Sequence, residues 1–199
     1  MYPKEAEAGS FLFREGDPVG KVYYIRSGKV KLKNITEDGK QFIVSILQTG
    51  DFICEPDRGT DAVHSLSAEV IEHSNFGVIE WKELQTLLFR HGDFAVPFMN
   101  WMMLTRRVAE SKFRDLLLFG KPGALASTLI RLANCYGVLD PDGIRLELKL
   151  THVELAEMIG TTREGVSRML NGMKQEGIID IRKGHIVILS LAALRKICQ

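Results

Sequence analysis

The sequence predicts an α+β protein: short antiparallel strands closed into a sandwich or barrel, then one long helix, then a C-terminal winged helix–turn–helix. Three observations predict it. Glycines at 9, 16, 20, 28, 39, 50 and 59 punctuate the first part of the chain, and β-rich runs fill the gaps. Turn signals about every ten residues are the mark of an all-β sandwich or barrel. From Asp93 to Leu118 a helical pattern runs with a single proline, Pro97, near its start. Residues 150–177 then read as two short helices around one sharp corner.

In chain order, Lys21–Arg26, Val30–Ile35, Gln41–Leu47 and Ser67–Ile71 are the expected strands, and Asp38-Gly39 suits a hairpin turn between two of them. Glu80–Arg90 reads as a helix. The segment Asp93–Leu118 carries Phe94, Phe98, Trp101, Met102, Val108, Phe113 and Leu116, with Thr105 and Lys112 interrupting. Such a stripe can pack on its own β-domain or form a two-stranded dimer seam. Gly120-Lys121-Pro122-Gly123 is a break and the expected domain boundary. A helix to about Tyr136, a loop Gly137–Gly143 and a strand Ile144–Leu150 lead into the two short helices. After Gly177, Ile178–Arg182 and His185–Leu189 flank Lys183-Gly184 as a hairpin, the wing.

Within the paired helices, Thr151 and Glu154 have capping-box spacing, and Gly160 suits a left-handed stop. Val153, Ala156 and Ile159 are expected to face inward. Thr161 and Thr162 can each cap the second helix or reach a phosphate. At about 100° per residue, Arg163, Ser167, Glu164 and Arg168 share one face, while Val166, Met169, Leu170 and Met173 occupy the opposite one. A helix anchored by its back and displaying two arginines and a glutamate suits a DNA major groove. Arginine donates a fork to guanine O6/N7, and glutamate accepts from cytosine N4. The competing reading is a surface ion pair between Glu164 and Arg168, four residues apart.

Composition bounds the function. Hydrophobic residues are 45% and charged residues 26% of 199, as in an ordinary globular protein. No apolar run reaches bilayer length and no signal-peptide pattern opens the chain, so no membrane association is expected. Cys54, Cys135 and Cys198 are odd in number and scattered, which argues for a reducing cytoplasm and against a disulfide framework or a local metal cluster. Residues 120–199 hold 11 Lys/Arg against 8 Asp/Glu (+3), and the remainder 15 against 17 (−2), the polarity a C-terminal DNA-binding part would have. Nothing has the spacing of a catalytic triad, paired carboxylates, a phosphate loop or a metal site, so an enzyme is not expected. His152, near Glu154, sits at a helix start where capping accounts for it.

Taken together, the motifs resemble the Crp/Fnr family of bacterial transcription regulators over nearly the whole chain. Thr161–Arg168 (TTREGVSR) is similar to its recognition helix, and Phe13–Asp17 and Tyr24–Val30 to the glycine-rich opening of its β-roll. Gly50-Asp51-Phe52 with Glu55 resembles the start of its effector loop. The resemblance implies a jelly-roll-like β-roll sensor over 1–92, a dimerisation helix and hinge over 93–119, and a winged helix–turn–helix over 120–199. It implies double-stranded DNA, RNA polymerase and a second copy of the chain as partners. It also turns the reading of Asp93–Leu118 towards the dimer seam. Arg163, Glu164 and Arg168 match the pattern that reads TGTGA-like half-sites, whereas Glu164, Ser167 and Arg168 match the one for TTGAT. Arg163 favours the first. Thr151, Thr161, Thr162 and Lys183 are the expected phosphate contacts.

The sensor departs from the cyclic-AMP members of the family, which place Arg-Ser after the effector loop to hold the cyclic phosphate. Here Ser65, ten residues after Glu55, follows His64, and Arg58 comes too early in the loop 56–63. Cyclic AMP is therefore not expected, and an effector of unknown kind would meet Gly50, Cys54, Glu55, His64 and Ser65. No cysteine-rich segment precedes the β-roll motif in this sequence, so an iron–sulfur cluster of that type is not expected. Haem on Cys54, with His64 or His73 as second ligand, is the alternative, as is a redox role for that thiol; a lone cysteine is more commonly a small buried hydrophobe. The competing function is a cyclic-nucleotide-binding regulatory module of another protein, against which the winged domain counts.

Overall fold

The computed structural model describes residues 1–55 and 61–198. Arg58 and Gly59, used above for the loop and the turn spacing, lie outside the described residues. The chain divides into two compact units, Met1–Met102 and Met103–Gln199.

The first unit is two four-stranded antiparallel sheets. One has the order β1 (Tyr2–Ala6), β8 (Ser74–Glu80), β3 (Lys21–Ser27), β6 (Phe52–Ile53). The other has β2 (Phe11–Phe13), β7 (Ser67–Val70), β4 (Lys29–Ile35), β5 (Gln41–Gln48). Inward residues of both sheets, among them Phe13, Ile25, Val30, Leu47, Val70, Phe76 and Val78, form one core. This is the expected β-roll.

The four expected strands are present, but β1, β2, β6 and β8 escaped the sequence reading. In β8 every residue from Phe76 to Ile79 is buried, so the alternation that announces a half-exposed strand is missing. Gly28, between β3 and β4, needs its glycine twice over. Its φ is 97°, and a Cβ there would lie 2.0 Å from Ser74 Oγ. At Asp38-Gly39 the turn closes through the Gly39 N–H donating to the Thr36 carbonyl at 2.8 Å.

Helix α1 (Trp81–Arg90) follows, then α2 (Gly92–Tyr136), a single run with a non-helical break at Gly120 (φ 59°, ψ −161°). The start of α2 closes a second cluster in the first unit, where Phe98 is buried with Val22, Ile79 and Leu84, and Phe94 and Trp101 pack against it. This corrects the single stripe proposed for the dimer seam. Phe94, Phe98 and Trp101 face the β-unit, while Met102, Val108 and Phe113 are exposed. Met102 and Phe113 share one exposed side with Val96, Met99, Met103 and Leu117, each at least half exposed, whereas Val108, seven residues on from Trp101, is on the Trp101 side. Helical spacing sets both rows on one helix, and hydrophobicity alone did not separate them.

The expectation of no bilayer-length apolar run also needs correcting. Gly92–Tyr136 is long and apolar enough by length and composition, with mean hydropathy 1.3 in its most apolar stretch. The break at Gly120 divides it, and Leu125, Leu129 and Leu132 beyond the break are core residues of the second unit.

The second unit contains β9 (Gly137–Asp140), β10 (Gly143–Leu146), α3 (His152–Ile159), α4 (Arg163–Gln175), β11 (Ile179–Arg182), β12 (His185–Ile188) and α5 (Leu191–Ile197), with sheet order β11-β12-β10-β9. Residues 137–140, expected as part of a loop, are an edge strand. Their apolar side chains Val138 and Leu139 are exposed, so no burial pattern marks them. The strand expected over 144–150 spans only Gly143–Leu146.

A polar clasp ties the two arms that meet at Gly120. Asp115, 1% exposed, accepts hydrogen bonds from Ser127 Oγ, from Arg131 at 2.8 Å and from Arg114 at 2.9 Å. Burial alone would raise the Asp115 carboxyl, but these donors outweigh it and hold it below the ordinary range. Lys112, on the same arm, is pulled down to about 8, by burial first and by the Arg131 charge second.

Candidate nucleic-acid interface

The paired helices are fixed at both ends by local chemistry. Thr151 caps α3: its hydroxyl accepts from the Glu154 N–H at 3.1 Å, and the Glu154 carboxylate accepts from the Thr151 N–H at 3.0 Å. Gly160 ends α3 in the left-handed conformation (φ 63°). Lys121 donates to the Ile159 carbonyl at 2.9 Å, a cation placed on the negative end of the helix. Of the two threonines, Thr162 is the cap of α4, accepting from the Gly165 N–H at 3.1 Å.

Burial then sorts the side chains. On α4, Val166, Leu170 and Met173 are buried and Met169 packs against the same core. Leu155, Ala156 and Ile159 are the buried residues of α3. Val153, expected inside, is 45% exposed, because the cap at Thr151 sets the helix so that Leu155 takes the inward place. Arg163, Glu164 and Arg168 are exposed, and none has an ion pair or hydrogen bond among the described residues. The surface pair expected as the competing reading of Glu164 and Arg168 is therefore not formed. Lys183, exposed at the wing tip, takes a positive φ of 51° ahead of Gly184 at 81°, the geometry of a tight two-residue hairpin.

Ser167 differs from its neighbours. Its hydroxyl lies 2.6 Å from Nδ1 of His152, the first residue of α3. Capping accounts for Glu154 but not for His152, whose ring turns towards α4 instead. Nothing in the spacing of residues fifteen apart announces that contact. The base of the wing is held by ions that the sequence reading also missed. Arg182 pairs with Asp140, Asp142 and Asp180, and Lys174 joins Asp180 at 3.0 Å. Arg182 first and Lys174 second pull the Asp180 carboxyl down to about 2.

The expected effector residues lie in the first unit and are largely occupied with one another. Gly50 (φ 96°) forms the turn before β6, where Asp51 accepts from Trp101 Nε1 at 3.3 Å. Glu55 Oε2 accepts from both the backbone N–H and the hydroxyl of Ser65, each at 3.0 Å, and Oε1 lies 3.3 Å from His64 Nδ1. His64 is 3% exposed and stacked on Phe13, with ring centroids 3.5 Å apart. Cys54 packs against the cluster around Val22 and Ile79. Burial first, then the Glu55 charge, pushes its thiol up to about 11. His73 is on the surface, 3.1 Å from Glu7. A cleft of about 480 Å³ is lined by Leu12, Phe13, Pro18, Tyr23, Glu80 and others, and of the expected effector residues only His64 borders it.

Known proteins with this arrangement are many. Residues 3–91 match the cyclic nucleotide-binding domain, and residues 123–197 match the Crp-like helix-turn-helix domain. The chain is 40% identical to the anaerobic regulatory protein of Bacillus subtilis, over 94% of this chain and 79% of that one. It is 28% identical to the global nitrogen regulator of Synechocystis, over 92% and 82%. Among solved structures, a CooA mutant from Carboxydothermus hydrogenoformans superposes with a TM-score of 0.84 at 23% identity, covering 100% of this chain and 88% of that one. FixK2 from Bradyrhizobium japonicum gives 0.80 at 20% identity, covering 98% and 96%. These two likenesses are likenesses of fold.

Proposed function

We propose, from the premise that this chain belongs to the Crp/Fnr family of transcription regulators, that it binds a pseudo-palindromic DNA site as a homodimer. The observation that carries this reading is the face of α4. Arg163, Glu164 and Arg168 stand exposed and unpaired over a helix whose back is buried, so their hydrogen-bonding capacity is available to base edges. Arg163 with Glu164 and Arg168 supports TGTGA-like half-sites, with TTGAT-like ones as the competing assignment. Thr151, Thr161, Thr162 and Lys183 flank that face and would take phosphates, orienting the helix without reading sequence. The exposed row Val96, Met99, Met103 and Leu117 supports α2 as the seam of the dimer, which would set two recognition helices about 34 Å apart. On this reading 1–92 is the sensor, 93–119 the seam and hinge, and 120–199 the DNA-binding domain. The protein acts in the cytoplasm with RNA polymerase as partner and carries out no catalysis.

The first unit is related to cyclic-nucleotide-binding domains, but its residues do not fit a cyclic phosphate. Among the described residues, the backbone N–H and hydroxyl of Ser65, donors that could hold one, already hold the Glu55 carboxylate, and His64 stands where an arginine would be needed. Haem fits no better. A thiol held neutral up to about pH 11 is a poor thiolate ligand, and His64 is stacked on Phe13 and turned to Glu55. Any effector acting through Gly50, Cys54, Glu55, His64 and Ser65 would have to displace these contacts, shifting the population of DNA-competent dimers. Two measurements on the full chain test the function. Selection of bound duplexes from a random pool should yield an inverted repeat, and sedimentation should give a dimer. Recovery of unrelated sequences would overturn the DNA reading, and a monomer at micromolar concentration would overturn the dimer.

A further inference from the structure

Serine is the least selective of the side chains on the reading face, since a free hydroxyl both donates and accepts and can serve any base edge. In this protein the Ser167 hydroxyl is not free. It lies 2.6 Å from His152 Nδ1, and His152 is itself fixed, being the first residue of a helix whose start is locked by the Thr151–Glu154 capping box. Both residues are half-buried, so the contact sits at the junction of α3 and α4 and is partly shielded from water. A ring nitrogen that takes the hydroxyl proton leaves the serine only lone pairs for DNA; one that donates leaves the proton and one lone pair, with the hydroxyl pinned in place by the ring. In the first case the serine loses its donor and in the second it loses its freedom to turn, so either way it offers less than an unheld hydroxyl.

We propose that His152 is a specificity-determining positioning residue: by holding Ser167 it restricts what the recognition helix accepts at one base-pair position, without itself reading a base. This rests on the DNA-binding reading above. It also bears on the half-site, because a serine held by histidine contributes less of its own choice than Arg163, Glu164 and Arg168 do.

The test is selection of bound duplexes, followed by competition binding at fixed salt, for the full-length wild type, His152→Ala, His152→Asn, Ser167→Ala and the double variant. Removing a hydrogen bond of ordinary strength should change discrimination at one position by about fivefold. The expected result is that His152→Ala relaxes preference at the position that Ser167→Ala relaxes, with the double variant no worse than Ser167→Ala alone. Asparagine, whose amide can reach the same hydroxyl, should restore preference. Preferences assigned to Arg163, Glu164 and Arg168 should stay. Unchanged preference in His152→Ala would overturn the proposal. So would an even loss on every sequence, which would mean packing, or, with a shallower salt slope, a phosphate contact. Should the wild type itself select no sequence, the DNA reading falls and this inference falls with it; a selective wild type with indifferent His152 variants sinks the inference alone.

Discussion

Helix α4 and the segment that carries Glu55, His64 and Ser65 contain similar chemical groups used in opposite ways. On α4, Arg163, Glu164 and Arg168 are exposed and make no internal hydrogen bond or ion pair among the described residues. In the loop, Glu55, His64 and Ser65 are turned onto one another. A hydrogen bond made internally stabilises the fold by about 1 kcal/mol, while an unmet donor at a surface costs little until a ligand desolvates it. The first region is therefore set up for a partner, and the second is satisfied without one.

The largest expected effect comes from taking a group from the open region. Arg168→Ala should weaken binding to the selected palindrome by about 1–3 kcal/mol per half-site and relax base preference, read by anisotropy against scrambled duplexes. An equal loss on all duplexes would reassign Arg168 to phosphate. Removing a group from the closed region should act on stability instead. Glu55→Ala removes the acceptor of exposed Ser65 and leaves Nδ1 of buried His64 without its partner, so denaturant unfolding of the full chain should show a loss of about 1–3 kcal/mol, most of it from the histidine. If stability is untouched while DNA affinity collapses, the loop is not self-satisfied and the contrast breaks. Calorimetry of the wild type with cyclic AMP should show no micromolar binding; such binding would reverse the reading of His64.

Smaller effects sharpen the same contrast. Thr162→Ala removes the cap of α4 and should lower thermal stability by about 1 kcal/mol, since its hydroxyl meets the Gly165 N–H. Alkylation should modify exposed Cys135 before Cys54. Cys54 has a folded pKa of about 11 against an ordinary 9.0, so the neutral thiol's contribution is whole below about pH 9 and is lost as pH climbs towards 11. Replacing Cys54 with Ala should remove that alkaline slope from a pH series of melting curves.

Which parts could be read in advance follows from the same physics. Caps, glycine corners and the two-sided α4 are local patterns, and Thr151, Gly160, Val166 and Leu170 took the places their spacing implied. Strand β8 was hidden because burial on both faces erases alternation, and β9 because its apolar residues face water. The α2 stripe misled because two apolar rows, one inward and one outward, were projected onto a single line. The exposure of Arg163, Glu164 and Arg168 on one side of α4 was legible from the helix itself. The link between His152 and Ser167, and the closure of Glu55 on Ser65, depend on residues brought together by folding, and periodicity carries no information about them.

The clasp around Gly120 has a consequence for how the molecule answers its ionic surroundings. Mobile ions screen charges at a surface but reach buried pairs poorly, and Asp115 with Arg131 is of the second kind. Contacts with phosphates, by contrast, weaken steeply as salt rises. A rise in ionic strength would loosen the grip on DNA while the corner between the two arms of α2 kept its angle. The salt slope of binding then counts phosphate contacts alone, uncontaminated by a change in the bend.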